Sequence, residues 1–276
     1  MKRATITIAV ILLSLGHPAG AFDFVTADGN GMGQTVILSN SSASTLLLAP
    51  SGGLIDRQWK VDLGAIRTFD LKELDRAFMS AAYRRGSVTC AGGFISFGDD
   101  DLYAERTGRL SVAYQYDSVS VGVNCSYMQV GFGGHYPDLN AFSVGLGASY
   151  RTKKVFAAFV AEDINSPGLY DHSESILPRY TLYTELIGPG SYSITGRISA
   201  QKREKPQLGA GQKIDISSIA AVFWGLSTEP FIYGAGLELI YKRSFITYAT
   251  SYHPTLGFSH TLSLSFAFGR EDSEQP

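Results

Sequence analysis

The residues that could do chemistry are few and scattered. A lipid hydrolase built on strands needs a nucleophilic Ser and a His two positions apart, so that both project from one face. His172, His253 and His260 show no convincing pair of this kind. His135, His172 and His253 fall in expected loops, but they lack the tight ligand spacing and the neighbouring Cys or carboxylates that a metal centre requires. Gly29-x-Gly31-x-Gly33 is not a nucleotide fingerprint, because no βαβ unit follows it. No enzyme, metal or cofactor is therefore expected. The remaining candidates are Glu105, Arg109, Arg179, Glu185, Arg197, Glu238 and Lys242, charges that sit within otherwise polar and small-residue faces. Such charges cost several kcal/mol at mid-depth in lipid, so they are expected to face inward and pair between neighbouring strands. Glu185 with Arg197 is the expected pair. These groups would tie a wall to whatever fills its centre, or else line a path for solutes.

What positions them is a period-two pattern. From about Arg57 to Gly269, bulky apolar residues alternate with small polar ones. His260, Leu262, Leu264, Phe266 and Phe268 share one face, and Ser259, Thr261, Ser263, Ser265 and Ala267 share the other. Val119, Val121, Val123, Cys125 and Tyr127 oppose Ser118, Ser120, Gly122, Asn124 and Ser126 in the same way. Strands send successive side chains to opposite faces. Many of these stretches exceed the five or six residues usual for soluble strands, and they suit a tilted membrane crossing. About 14 strands can be drawn, from 57–69 to 257–269, with 12 as the alternative count. Links after even strands are tight, as at Arg85-Gly86, Asp117-Ser118 and Arg243-Ser244. Several links after odd strands are longer, as at Asp70 to Arg76 and Asn165 to Ile176. Short turns on one side and longer loops on the other are the signature of an outer-membrane barrel.

Composition agrees. Charged residues are 17% of the chain, below the roughly 25% of an ordinary soluble domain. The net charge of -2 and the lack of a basic cluster argue against nucleic acid as a partner. No segment after the first 21 residues is apolar for long enough to cross a bilayer as a helix. Residues 1–21 read as an export signal: Lys2 and Arg3, the apolar run Ile6 to Leu15, then Ala19 and Ala21 before cleavage. Cys90 and Cys125 fall on strands that are not neighbours, which argues for two wall thiols rather than a disulfide. Trp59, Tyr83, Tyr116, Tyr150, Tyr233 and Tyr241 lie near strand ends, where interfacial aromatic girdles form.

Residues 22–56 do not alternate. They contain the apolar run Leu46 to Ala49, then Pro50 and Gly52-Gly53. A barrel of about 14 strands is too wide for side chains alone to fill, so this segment is expected to fold into the lumen as a plug. The fold expected is thus an all-β, transmembrane, antiparallel up-and-down barrel over 57–269, plugged by 22–56 and followed by a polar tail, 270–276.

Several short motifs resemble the FadL-like outer-membrane proteins, a superfamily that includes the PorV and PorQ type proteins of type IX secretion. Gly31-Met32-Gly33, Val36-Ile37-Leu38, Ser41-Ser42-Ala43-Ser44 and Leu47 to Pro50 are similar to that family's N-terminal region. Ala49-Pro50-Ser51 stands where the family has Asn-Pro-Ala. Gly92 to Gly98, Tyr103-Ala104-Glu105, Asn165-Ser166-Pro167 and Leu256 to His260 resemble the PorV/PorQ branch. The resemblance implies a 14-stranded plugged barrel in the bacterial outer membrane. It implies a non-enzymatic accessory or scaffold in protein secretion or envelope organisation, with secretion or envelope proteins as partners. The alternative is a channel for hydrophobic, fatty-acid-like molecules. Lipid surrounds the wall in either case. A ligand of that kind would meet Leu46, Leu47, Leu48 and Pro50 on the plug and Arg109, Arg179, Glu185 and Arg197 in the lumen.

Overall fold

The computed structural model describes residues 24, 26–39, 42–52, 57–99, 101–133, 137–168, 175–190 and 192–271. The expected export signal, the loop with His135, the loop with Tyr170, Asp171 and His172, and residues 272–276 lie outside the described residues. Fourteen strands follow in order: β1 Arg57–Arg67, β2 Arg76–Arg85, β3 Val88–Asp99, β4 Tyr103–Tyr116, β5 Val119–Phe132, β6 Leu139–Arg151, β7 Val155–Glu162, β8 Arg179–Ile187, β9 Tyr192–Gln201, β10 Gln207–Ser217, β11 Ala220–Ser227, β12 Ile232–Tyr241, β13 Ser244–His253 and β14 Gly257–Glu271. Each pairs antiparallel with its sequence neighbours, and β14 returns to β1, so the sheet is a closed barrel. Closure leaves no open edge, which is what allows a sheet to cross lipid.

Register turns the period-two pattern into two surfaces. On β4, Leu110 is 69% exposed while Arg109 and Ser111 on either side are 6% and 3% exposed. Their partners follow suit, because Leu110 stands opposite Cys125 and Gly92, and Arg109 opposite Ser126 and Gly93. Cys90 on β3 and Cys125 on β5 are free thiols, separated by β4. Trp59, Tyr83 and Phe268 stand side by side on β1, β2 and β14, with ring centroids 4.6 and 6.5 Å apart. At the opposite end Tyr233, Tyr252 and Phe258 form a second cluster, with spacings of 5.1 and 4.8 Å.

The connections alternate as the sequence indicates. Asp117-Ser118 and Lys242-Arg243 are two-residue turns at one end. The other end carries longer loops, including one between β1 and β2 that contains two single 3-10 turns, Thr68–Asp70 and Lys72–Leu74. By the usual asymmetry of these barrels, the turn end faces the periplasm. β14 runs two residues beyond the expected limit of 269, to Glu271.

Inside the barrel lie two short helices. α1 spans Ala27–Gly31, and Thr26 caps it by accepting from the Gly29 N–H. α2 spans Ala43–Leu48, and Ser42 caps it by accepting from the Thr45 N–H. α2 is buried on nearly every side, as a helix enclosed by a sheet must be. Three apolar clusters join this segment to the wall. Phe24, Ala43, Leu46 and Leu47 meet Ile66, Phe78, Ala82, Ala91 and Ile95. Val36, Leu38 and Ala49 meet Phe156, Ala158, Val160 and Tyr183. Met32 and Ile37 meet Phe223 and Ala249. Close approach requires glycine at Gly33, which has φ +66° and would place a Cβ 2.1 Å from the Leu226 carbonyl oxygen. Gly122 serves the same end from the wall side, since a Cβ there would lie 2.6 Å from the Pro50 carbonyl oxygen.

Candidate functional site

The site is the contact between the luminal segment and the inner wall. Each anchoring side chain projects inward because strand alternation puts it there, and each meets a backbone group that a short helix or turn leaves unsatisfied. Glu185 on β8 is fully buried. Its carboxylate accepts from the Leu38 N–H, the Ser39 N–H and the Ser39 hydroxyl, all at 2.7 Å. Asp62 on β1 accepts from the Ser44 N–H at 2.8 Å, at the start of α2, where a negative charge suits the free N–H groups. Arg109 on β4 donates to the Leu47 carbonyl oxygen at 2.9 Å, near the other end of the same helix. A carboxylate and a guanidinium thus hold the two ends of α2.

Arg109 does more. It donates to Ser126 at 2.7 Å and to Glu162 at 2.9 Å, and its guanidinium lies over the Phe24 ring, 5.4 Å from the centroid. Arg179 approaches the other oxygen of Glu162 at 3.7 Å. Arg197 on β9 donates to Gln34 at 2.7 Å and to Gln207 at 3.3 Å. Toward the turn end, Asp28, Lys60, Asp62, Lys213 and Glu238, together with Phe78, Phe245 and Phe266, line a cavity of about 60 Å³ between α1 and the wall. Lys213 and Glu238 pair across it at 2.6 Å.

Of the eight sequence-derived site residues, seven lie at this contact, and Arg179 approaches it through Glu162. Leu46 and Leu47 are buried in the first apolar cluster, Leu48 packs against the first and the second, and Pro50 is buried at the wall. Arg109, Arg179, Glu185 and Arg197 all face the lumen. Two expectations need correction. Glu185 and Arg197 do not pair. Register puts Glu185 opposite Thr195 and Arg197 opposite Tyr183, and each charge is taken up by the luminal segment instead. Lys242 does not face inward. It lies in the β12–β13 turn with φ 55°, exposed, its ammonium 5.2 Å from the Tyr241 ring centroid.

The sequence reading missed Asp62, Glu162, Phe24, Phe78, Phe156 and Phe223. Three of them carried a signal. Phe78 shares its face with Ser80, Phe156 with Ala158, and Phe223 with Ala221, so each is a bulky aromatic on the small-residue face. An aromatic out of phase marks the place where something apolar fills the lumen.

No family model matches the chain, and no curated protein does. Solved structures do match in fold. A deletion mutant of the monoaromatic hydrocarbon channel TodX aligns with a TM-score of 0.67 at 10% identity, over 88% of this chain and 98% of that one. The Pseudomonas putida toluene transporter TodX aligns at 0.61 and 9% identity, over 87% of this chain and 96% of that one. Acinetobacter baumannii outer membrane protein Omp33 aligns at 0.51 and 9% identity, over 77% and 98%. The shared architecture is that of an outer-membrane barrel.

Proposed function

We propose that this chain is an outer-membrane channel of FadL-like type that passes hydrophobic small molecules, with the N-terminal segment as its plug. The observation that carries this reading is the apolar seam inside the barrel, where Phe24, Leu46 and Leu47 pack on Phe78, Ala82 and Ile95. A pore for polar solutes needs a wet lumen. An apolar seam gives a hydrocarbon a route whose side chains need not be desolvated at great cost. The segment is held by hydrogen bonds and packing, so local movement of α2 would open the seam to a ligand. The fold likeness to TodX, a hydrocarbon channel by name, supports the substrate class. The secretion-accessory reading rests on the short PorV/PorQ-like motifs alone.

The test is uptake of a labelled monoaromatic hydrocarbon, and separately of a labelled long-chain fatty acid, by outer-membrane-intact cells that make the chain. Uptake should exceed that of cells without it and should fall several-fold in Leu47→Gln at equal amounts of folded barrel. Equal uptake with and without the chain, for both compounds, would refute the reading.

A further inference from the structure

We propose that the turn end of the barrel carries a binding surface for anionic phospholipid headgroups, centred on Arg84, Arg85, Lys242 and Arg243. The inference rests on the membrane-spanning reading of the barrel and is independent of what the lumen carries. The β12–β13 turn, the β14–β1 junction and the β2–β3 turn are consecutive around the rim. Two of the three are basic and hold no Asp or Glu: Tyr241-Lys242-Arg243-Ser244 and Arg84-Arg85-Gly86-Ser87. Between them β14 ends at Glu271, opposite Arg57 in the register, and Asp272 and Glu274 follow in the sequence. Arg85, Lys242 and Arg243 are exposed and make no ion pair among the described residues.

The loop end is different. There Arg67 pairs with Asp75 at 3.0 Å and Lys205 with Glu229 at 3.3 Å, so basic side chains meet acids of their own chain. Among the described residues Arg85, Lys242 and Arg243 meet no acid of their own chain, and their exposed charge suits an external anion.

A second, independent observation fixes the depth of these cations. Trp59, Tyr83 and Phe268 form an outward aromatic row on β1, β2 and β14, just inside the same rim. Aromatic rows of this kind sit at the membrane interface. Arg85 is two residues beyond Tyr83 along the same strand, about 6 to 7 Å further out. Lys242 folds back over the exposed ring of Tyr241. The cations therefore lie at the level of lipid phosphates rather than out in the aqueous phase. An anionic phospholipid of the adjoining leaflet offers a phosphate plus unneutralised charge. A zwitterionic lipid offers the same phosphate with its charge cancelled.

The full chain, folded in detergent, is titrated with equal amounts of phosphatidylglycerol and phosphatidylcholine, and the retained lipids are read by native mass spectrometry. Phosphatidylglycerol should be retained preferentially, and the preference should weaken with salt. It should fall by about fivefold for each charge removed in the series Arg84→Gln, Arg85→Gln, Lys242→Gln and Arg243→Gln. Lys202→Gln with Lys205→Gln at the loop end should leave it unchanged. Equal retention of the two lipids by the unsubstituted chain would overturn the proposal, as would a preference that survives all four substitutions. Heat-modifiable migration of each variant on gels reports separately whether the barrel has folded. Loss of lipid preference in a folded barrel is therefore distinguishable from failure of the membrane reading.

Discussion

The Glu185 carboxylate grips Ser39 twice, accepting from its backbone N–H and from its hydroxyl, each at 2.7 Å. A wall strand and a segment 146 residues away are thereby fixed to one another. Replacing Glu185 with Ala leaves the Leu38 and Ser39 N–H groups buried without their charged acceptor, at a cost of about 1.5 to 3 kcal/mol per lost bond. Amide exchange in residues 24–39 should accelerate while the strands remain protected. Unchanged exchange in that segment would show that the packing alone holds it.

Arg109 and Glu162 form a buried pair, with Arg109 also holding the α2 carbonyl of Leu47. Arg109→Met should destabilise the folded barrel by about 3 to 5 kcal/mol, because Glu162 loses its nearer cation and keeps the more distant Arg179. Adding Glu162→Gln should recover part of that loss. Denaturant titration of the chain in liposomes measures both, and the double-mutant cycle isolates the pair.

The outward face is tested by depth. Leu110 lies near the middle of β4 and is 69% exposed on the surface assigned to lipid. Leu110→Arg should cost about 2 to 4 kcal/mol of folding free energy in liposomes, whereas Tyr116→Arg at the strand end should cost about 0 to 1. Equal, small costs at both positions would mean that this face does not meet hydrocarbon.

Asp28 brings a pH dependence to docking of α1. Burial holds its carboxyl above the ordinary carboxylate range, although the nearby Lys213 draws it back. The docked segment therefore keeps its proton to higher pH than the released segment does. Its contribution to docking is full below the released value, about 3.9, and is lost as pH rises through the raised docked value. Exchange in residues 26–39, corrected for its chemical rate, should speed up across that window. Asp28→Asn should abolish the slope and keep docking at its low-pH strength. A slope unchanged in Asp28→Asn would assign the effect to another group.

The wall was legible because a strand repeats every two residues and lipid enforces the repeat over the whole crossing. Even the tight turn at Asp117-Ser118 stands out, while the turn expected at Arg243-Ser244 lies one residue earlier, at Lys242-Arg243. Lys242 was misread because alternation was counted through a turn, and its left-handed backbone breaks the parity there. The charge partners were not legible. Adjacent strands suggested Glu185 with Arg197, but register sets them on different cross-strand pairs, and the segment supplies competing backbone donors that no strand pattern reveals. Leu46, Leu47 and Leu48 were identifiable as buried from their apolarity alone. Their counterparts Phe78 and Ile95 could be found only by noticing apolar bulk on a face otherwise given to Ser, Ala and Gly.

The central claim is that the seam between α2 and the β1–β3 wall takes up a hydrophobic ligand. Photolabelling of the bilayer-inserted chain with a small aryl diazirine, followed by peptide mass spectrometry, tests it most directly. The account predicts adducts on Phe24, Leu46, Leu47 or Phe78 that excess toluene suppresses, alongside unsuppressed labelling of lipid-facing residues such as Leu110. Labelling confined to the lipid-facing residues, with none in the lumen at any probe concentration, would contradict it.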